Sequence, residues 1–189
     1  MDSHVSKDHF NGVNKKIRTL FATTRSENVI SEDEAMKILS PLVESGKEIR
    51  EDFISLQSKG EINISSNEMS ELCEMDDSQL AELAYFMEAA TQVSYEDYSG
   101  LEEYSSKMKY KFQDFVDCLS FATGVSVISG LYGYVDGTAG LITAKTAWKI
   151  ARVFIGRTLG AVGVAIAIYD FGDCMYKKSK SVETEHHVR

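Results

Sequence analysis

Proline is almost missing from this chain: Pro41 is the only one in 189 residues. A polypeptide so poor in helix breakers can sustain long helices and is unsuited to polyproline linkers. Histidine is confined to the ends, at His4, His9, His186 and His187. That removes Ser-His-Asp and Cys-His arrangements from the body of the chain, and terminal histidines make a poor metal centre. Cysteine is limited to Cys73, Cys118 and Cys174, with no CxxC spacing. Such sparse, odd usage predicts free, buried thiols in a reducing compartment. Neither GxSxG nor GxxxxGK occurs, and Gly160-Ala-Val-Gly163 is not a dinucleotide loop. With Gly60 placed sixth in a calcium loop, Ser55, Gln57 and Lys59 fall where acidic ligands belong, so calcium is excluded there. The acids Glu74, Asp76 and Asp77 read as a helix junction. The chain is therefore expected to be non-enzymatic, with no catalytic residue, no cofactor and no metal.

A basic stripe is also missing. Residues 1–114 carry 23 acidic against 12 basic side chains, a balance of −11 within a total of −9. Phosphate backbones need the opposite sign, so nucleic acid is excluded as a partner. A basic protein docking on the acidic face remains open. The polar start, Met1-Asp-Ser-His-Val-Ser-Lys-Asp-His, is not a secretory signal. The expected location is cytoplasmic, with membrane association.

What is present is helical periodicity. Phe10, Val13, Ile17 and Leu20 predict an amphipathic helix near 6–24. Ser31 with Glu34 forms a capping box, with Ile30 as its hydrophobic staple. Pro41 suits a first helical turn, so Ser40 is expected to cap a new or kinked helix. Leu42, Gly46, Ile49, Phe53 and Leu56 continue it towards Lys59-Gly60. The short Glu61-Ile-Asn-Ile is not read as a strand. Ser65 or Ser66 caps the next helix. Asp77 is expected to cap another, with Leu80, Leu83, Ala84, Met87 and Ala90 as its stripe. A long amphipathic helix is predicted from Leu101 onwards, with Tyr95, Tyr98, Tyr104 and Tyr110 straddling its approach.

The chain is expected to be organised around residues 115–176, which hold nine of its 13 glycines. Cys118–Val135 is an uncharged run of 18 residues, and Thr158–Tyr169 one of 12. A bilayer core needs about 20 apolar residues, so the first leg is nearly long enough and the second is short. Asp136-Gly137 is the turn between them. Small residues recur four apart, as in Ser126–Gly130, Ala147–Ala151, Gly156–Gly160 and Ala161–Ala165, a spacing that lets backbones meet. Gly124, Gly130, Gly133, Gly137, Gly156, Gly160 and Gly163 are the candidate membrane or helix-packing positions. Asp136, Arg157 and Asp170 form a candidate charge switch, because carboxylates that neutralise at low pH are cheaper to bury.

From Ala144 the run Ala-Lys-Thr-Ala-Trp-Lys-Ile-Ala-Arg-Val-Phe-Ile-Gly-Arg-Thr-Leu-Gly-Ala-Val-Gly-Val-Ala-Ile-Ala-Ile-Tyr-Asp-Phe resembles the end of the membrane-associating region of the apolipoprotein L family. Arg152, Arg157, Gly160, Gly163 and Asp170 are the matching positions, with Lys178-Ser179 in the exit. More loosely, a long helix followed by a Gly-rich hairpin is similar to the hairpin of pore-forming colicins. The resemblance implies lipid binding or pH-dependent insertion with ion conductance, and no enzymatic activity.

The expected fold is all-α, a bundle of six or seven amphipathic helices with a C-terminal Gly/Ala-rich apolar hairpin. Its regions are an acidic part (1–100), a long helix entering the hairpin (101–180) and a flexible tail (181–189). Two functions follow. One is a membrane-binding or conditionally inserting protein, with pore or channel formation in scope, whose acidic front masks the hairpin. The other is a soluble all-α interaction or adaptor protein with the hairpin as its core.

Overall fold

The computed structural model describes residues 5–23, 30–97, 112–125, 143–157 and 159–185. These form seven helices and no strand: α1 (Lys7–Thr23), α2 (Glu32–Ser58), α3 (Ser66–Cys73), α4 (Asp77–Asp97), α5 (Phe112–Thr123), α6 (Ala144–Ala151) and α7 (Gly160–Glu185). The chain is an all-α bundle, as its periodicity predicts. The 101–111 part of the predicted long helix, the Asp136-Gly137 turn, and the tyrosines at 98, 104 and 110 lie outside the described residues.

Local chemistry starts the helices where expected. Ser31 and Glu34 close a reciprocal capping box on α2, and Ser65 and Glu68 do so on α3. Each satisfies orphan N–H groups of a first turn. α4 is capped one residue earlier than predicted. The Asp76 carboxylate, not Asp77, accepts from the Gln79 backbone N at 2.9 Å, and Gln79 Oε1 accepts from Asp76 N. After α2, Gly60 takes the left-handed conformation (φ 73°) that only glycine adopts without strain. Gln57 Oε1 then accepts from Ile64 N at 2.7 Å, folding the buried Ile62 and Ile64 back onto the core.

Pro41 does not open a new helix. α2 runs through it to Ser58, and Ser40 Oγ bonds the Lys37 carbonyl instead of capping. A mid-helix proline forfeits one ladder bond. Burial of Ala35, Leu39, Leu42, Val43, Ile49 and Phe53 on one continuous face outweighs that loss.

α4, from the acidic front, is the hub: every residue from Ser78 to Ala90 is buried, and α2, α5, α6 and α7 all pack against it. A helix enclosed all round is a core helix. It meets α2 backbone to backbone, where a Cβ on Gly46 would lie 2.1 Å from the Leu80 carbonyl oxygen. Only glycine allows the backbones to meet there. Aromatic rings fill the layer below. Phe86 stacks on Phe154 at 5.0 Å and meets Phe171 edge-on at 5.3 Å, while Tyr85 stacks on Phe10 at 4.8 Å. Tyr85 donates its hydroxyl to Asn14 Oδ1 at 2.7 Å, and burial pushes its ionisation well above the usual tyrosine range.

The two apolar legs differ in structure. α5 stops at Thr123, where Gly124 (φ 68°) ends it inside the first uncharged run. The second leg, from Gly160 onwards, lies within α7, which continues to Glu185 through half of the predicted tail, while α6 and the turns after it precede that leg. Among the described residues, no helix is long and apolar enough to cross a membrane. α5 and α7 are joined by a disulfide between Cys118 and Cys174, flanked by Lys178 bridging Asp114 at 3.5 Å and Asp117 at 3.1 Å. The expectation of free, buried thiols is thus corrected twice, because Cys73 is free but exposed. Sparse cysteine therefore does not place this chain in a reducing compartment.

Candidate functional site

The connection between α6 and α7 is where the acidic front half meets the rear. Two glycines shape it. Gly156 (φ 75°) and Gly160 (φ 64°) both turn the chain through left-handed conformations. Around them stand carboxylates from two separate helices. Glu68 of α3, already in its capping box, pairs with Arg152 Nε at 2.6 Å. A Cβ at Gly156 would lie 3.1 Å from Glu71 Oε2, and one at Gly160 would lie 3.0 Å from Glu32 Oε1. Glu32 Oε2 accepts from Ala161 N at 2.7 Å and from Val162 N at 3.2 Å. The first residue of α2 therefore caps the N-terminus of α7, where orphan N–H groups and the helix dipole favour a negative charge.

Beneath this clamp lies a buried polar cluster. Arg157 reaches the end of α5, where its Nη2 donates to the Thr123 carbonyl at 2.9 Å, a favourable place for a cation. The Arg157 carbonyl in turn accepts from Gln79 Nε2 of α4. Glu82, one turn further along α4, is 0% exposed. Among the described residues neither of its carboxylate oxygens has a hydrogen-bond partner, and the same holds for Arg157 Nη1 and Trp148 Nε1. Burial pushes the Glu82 carboxyl up to about 7; attraction from Arg157 opposes the shift and repulsion from Asp76 adds to it. In Glu68 the balance goes the other way. Burial disfavours its charge, but hydrogen bonds from Ser65 and the Arg152 charge leave its ionisation below the usual range.

The candidate residues distribute unevenly over this architecture. Gly124, Gly156 and Gly160 are turn glycines with positive φ, and Gly156 and Gly160 also lie close against the Glu71 and Glu32 side chains of α3 and α2. Gly163 lies within α7, and a Cβ there would meet its own neighbour Leu159. The alanines of the same spacing pattern, Ala147, Ala151, Ala161 and Ala165, are the ones that face the core. Gly130, Gly133, Gly137 and Asp136 lie outside the described residues. Arg157 and Asp170 do not pair: Arg157 serves α5, while Asp170 is half-buried beside Asp173 and Lys177. Burial, then repulsion from Asp173, raises its carboxyl above the ordinary value.

Nothing in the sequence singles out Glu82, Gln79 or Gly46 as a site. A lone glutamate in an apolar stripe reads as its solvated side, and nothing local distinguishes one buried on every side. Chemically, the cluster can hold or exchange a proton at Glu82; it offers no activated nucleophile.

The described surface also exposes large apolar side chains. Phe121 on α5 is 69% exposed, and on α7 Ile166 is 43% and Tyr176 45% exposed. Compared with protein-family models, curated proteins and solved structures, the chain matches none. Its functional reading therefore rests on its own residues.

Proposed function

We propose that this protein is a non-enzymatic α-helical protein that binds membranes from the surface, a mode in keeping with its resemblance to the apolipoprotein L family. The observation that carries the reading is Phe121. It is the most exposed large hydrophobic side chain among the described residues, and it stands at the root of the 118–135 uncharged run. Burying such a side chain is worth about 1.5–3 kcal/mol, and exposed apolar groups beside an uncharged segment suit an interfacial contact.

Surface contact is preferred to insertion of the hairpin for two reasons. The inner face of α7, with Val164, Ala165, Ile168 and Phe171, is used within the bundle. Mild acid also favours the folded form at Glu82 and Asp170, whose carboxyls take up protons more readily in the fold than in an unfolded chain. An acid-released hairpin would have to overcome both.

The test is co-sedimentation of the oxidised full chain with vesicles at pH 5 and pH 7.5. Retention at both is expected, greater at pH 5 on anionic vesicles as the protein's negative charge falls, and Phe121→Asp should reduce it. No retention at either pH would overturn the reading in favour of the interaction-protein alternative. That alternative has its own support in the exposed acids Asp33, Glu34, Glu44 and Glu51 along α2, a surface suited to a basic protein.

A further inference from the structure

α1 and α7 enclose an open cavity of about 220 Å³, lined by Arg18, Tyr169, Asp173 and Tyr176. Three of these residues belong to α7 at positions i, i+4 and i+7, so they form one stripe along that helix. Gly172 interrupts the stripe beside Asp173. Arg18 supplies the fourth wall, its Nη2 in ordinary contact range, 3.8 Å, of the place a Cβ on Gly172 would take. Tyr169 is held by a tilted ring contact with Phe21 at 4.7 Å. The Asp173 carboxylate is held by Lys177 Nζ at 2.6 Å. No carboxylate pairs with Arg18 among the described residues.

These groups select a ligand by their chemistry. A guanidinium offers the donor fork that phosphate oxygens accept. Two tyrosine rings beside a carboxylate make a surface for a cation. The local charges cancel, with Arg18 and Lys177 against Asp170 and Asp173, so the field favours neither a plain anion nor a plain cation. A ligand carrying both signs matches it. Because Lys177 already occupies Asp173, an ammonium that needs hydrogen bonds would have to displace it. A quaternary ammonium needs none and can lie against the rings with Asp173 as its counter-charge. The volume is below the about 300 Å³ at which pockets for drug-sized molecules begin, which suits a head group and not an acyl chain.

We propose that the α1–α7 cavity binds a zwitterion of the phosphocholine class, with the phosphate on Arg18 and the quaternary ammonium between Tyr169, Tyr176 and Asp173. The site gives the membrane reading a head-group preference; it depends on that reading only for the source of the head group, lipid or free.

The experiment titrates the oxidised full chain with phosphocholine and follows the tyrosine ring resonances by NMR. Saturable shifts are expected. Arg18→Gln and Tyr176→Ala should each weaken binding about tenfold, whereas Tyr176→Phe should leave it within about twofold, since the ring face is what the cation uses. Choline alone and inorganic phosphate alone should each bind at least about tenfold more weakly than the intact zwitterion. Arg18 and Tyr176 are both exposed, and unchanged far-UV circular dichroism would show that the variants fold. No saturable binding, equal binding of inorganic phosphate, or indifference to both variants would overturn the proposal. Phosphatidylcholine and phosphatidylglycerol vesicles separate the sources. Soluble phosphocholine binding without retention on phosphatidylcholine assigns the site to a free zwitterion and overturns the membrane reading alone. Retention on vesicles without phosphocholine binding does the reverse.

Discussion

α4 and α7 are both rich in apolar residues, and they are used in opposite ways. α4 is enclosed on every side from Ser78 to Ala90, so even Glu82 and Glu88 are buried. α7 buries Val164, Ala165, Ile168 and Phe171 on one side and turns Ile166 and Tyr176 outward. Hydropathy ranks the α7 region as the more membrane-like of the two. The bundle makes α4 its centre because Gly46 admits that helix to backbone contact with α2. Apolar content alone therefore does not say which helix becomes the core; the partner surface does. A helix with one face left over, such as α7, is the better place for an exposed binding surface.

The contrast can be tested by perturbing each helix in turn. The largest effect is expected at the anchor of α7. The Cys118–Cys174 bond joins residues 56 apart, and a closed loop of that size is worth about 4 kcal/mol in the chain-entropy account. Replacing both cysteines by serine should lower the urea-unfolding free energy by about that amount. The native protein should show one reactive thiol, Cys73, and reduction should expose three. Three reactive thiols without reduction would remove the anchor from the comparison.

At the hub, Gly46→Ala places a methyl 2.1 Å from the Leu80 carbonyl oxygen. Overpacking against backbone should cost about 3 kcal/mol or prevent folding. Calorimetry showing an unchanged melting temperature would mean that α2 and α4 do not touch there.

Glu82 tests whether α4 is dry. Its carboxyl titrates near 4.5 in an unfolded chain and about 7 in the fold, so the folded state binds the extra proton between those values. Stability from the neutral form is complete below pH 4.5 and is lost as pH rises through about 7. Glu82→Gln should therefore stabilise the protein by at most about 3 kcal/mol at pH 8 and by almost nothing at pH 4. Equal effects at both pH values would place Glu82 in contact with water.

Smaller effects are expected where α7 begins. Glu32→Ala removes the carboxylate that caps Ala161 and Val162, a loss of about 1 kcal/mol. Amide exchange at those two positions should accelerate. Gly12→Ala on α1, where a Cβ meets nothing within 4 Å, should instead add up to about 1 kcal/mol by helix propensity. Opposite signs at Gly12 and Gly46 would show that one residue type serves two purposes in this fold.

Much of the architecture is legible in the linear chain. The box at Ser31/Glu34, a serine cap at 65 or 66, the stop at Gly60 and the α1 stripe of Phe10, Val13 and Ile17 all follow from spacing. Pro41 misleads because tertiary burial overrides a local preference. Gly124, Gly156 and Gly160 take positive φ, a use of glycine that the sequence does not separate from close approach. Of the candidate switch, Arg157 and Asp170 lie among charged or buried polar groups, but in different surroundings.

Local order came from neighbours in the chain. Capping, amphipathic periodicity and turn glycines act over three or four residues, and their outcome is written in the spacing of side chains. The centre of the bundle, the cystine, the clamp on α7 and the proton affinity of Glu82 required distant positions to meet: 46 with 80, 118 with 174, 32 with 161, and 82 with 157. Packing and dielectric environment are properties of that assembly, so no stretch of residues read on its own contains them.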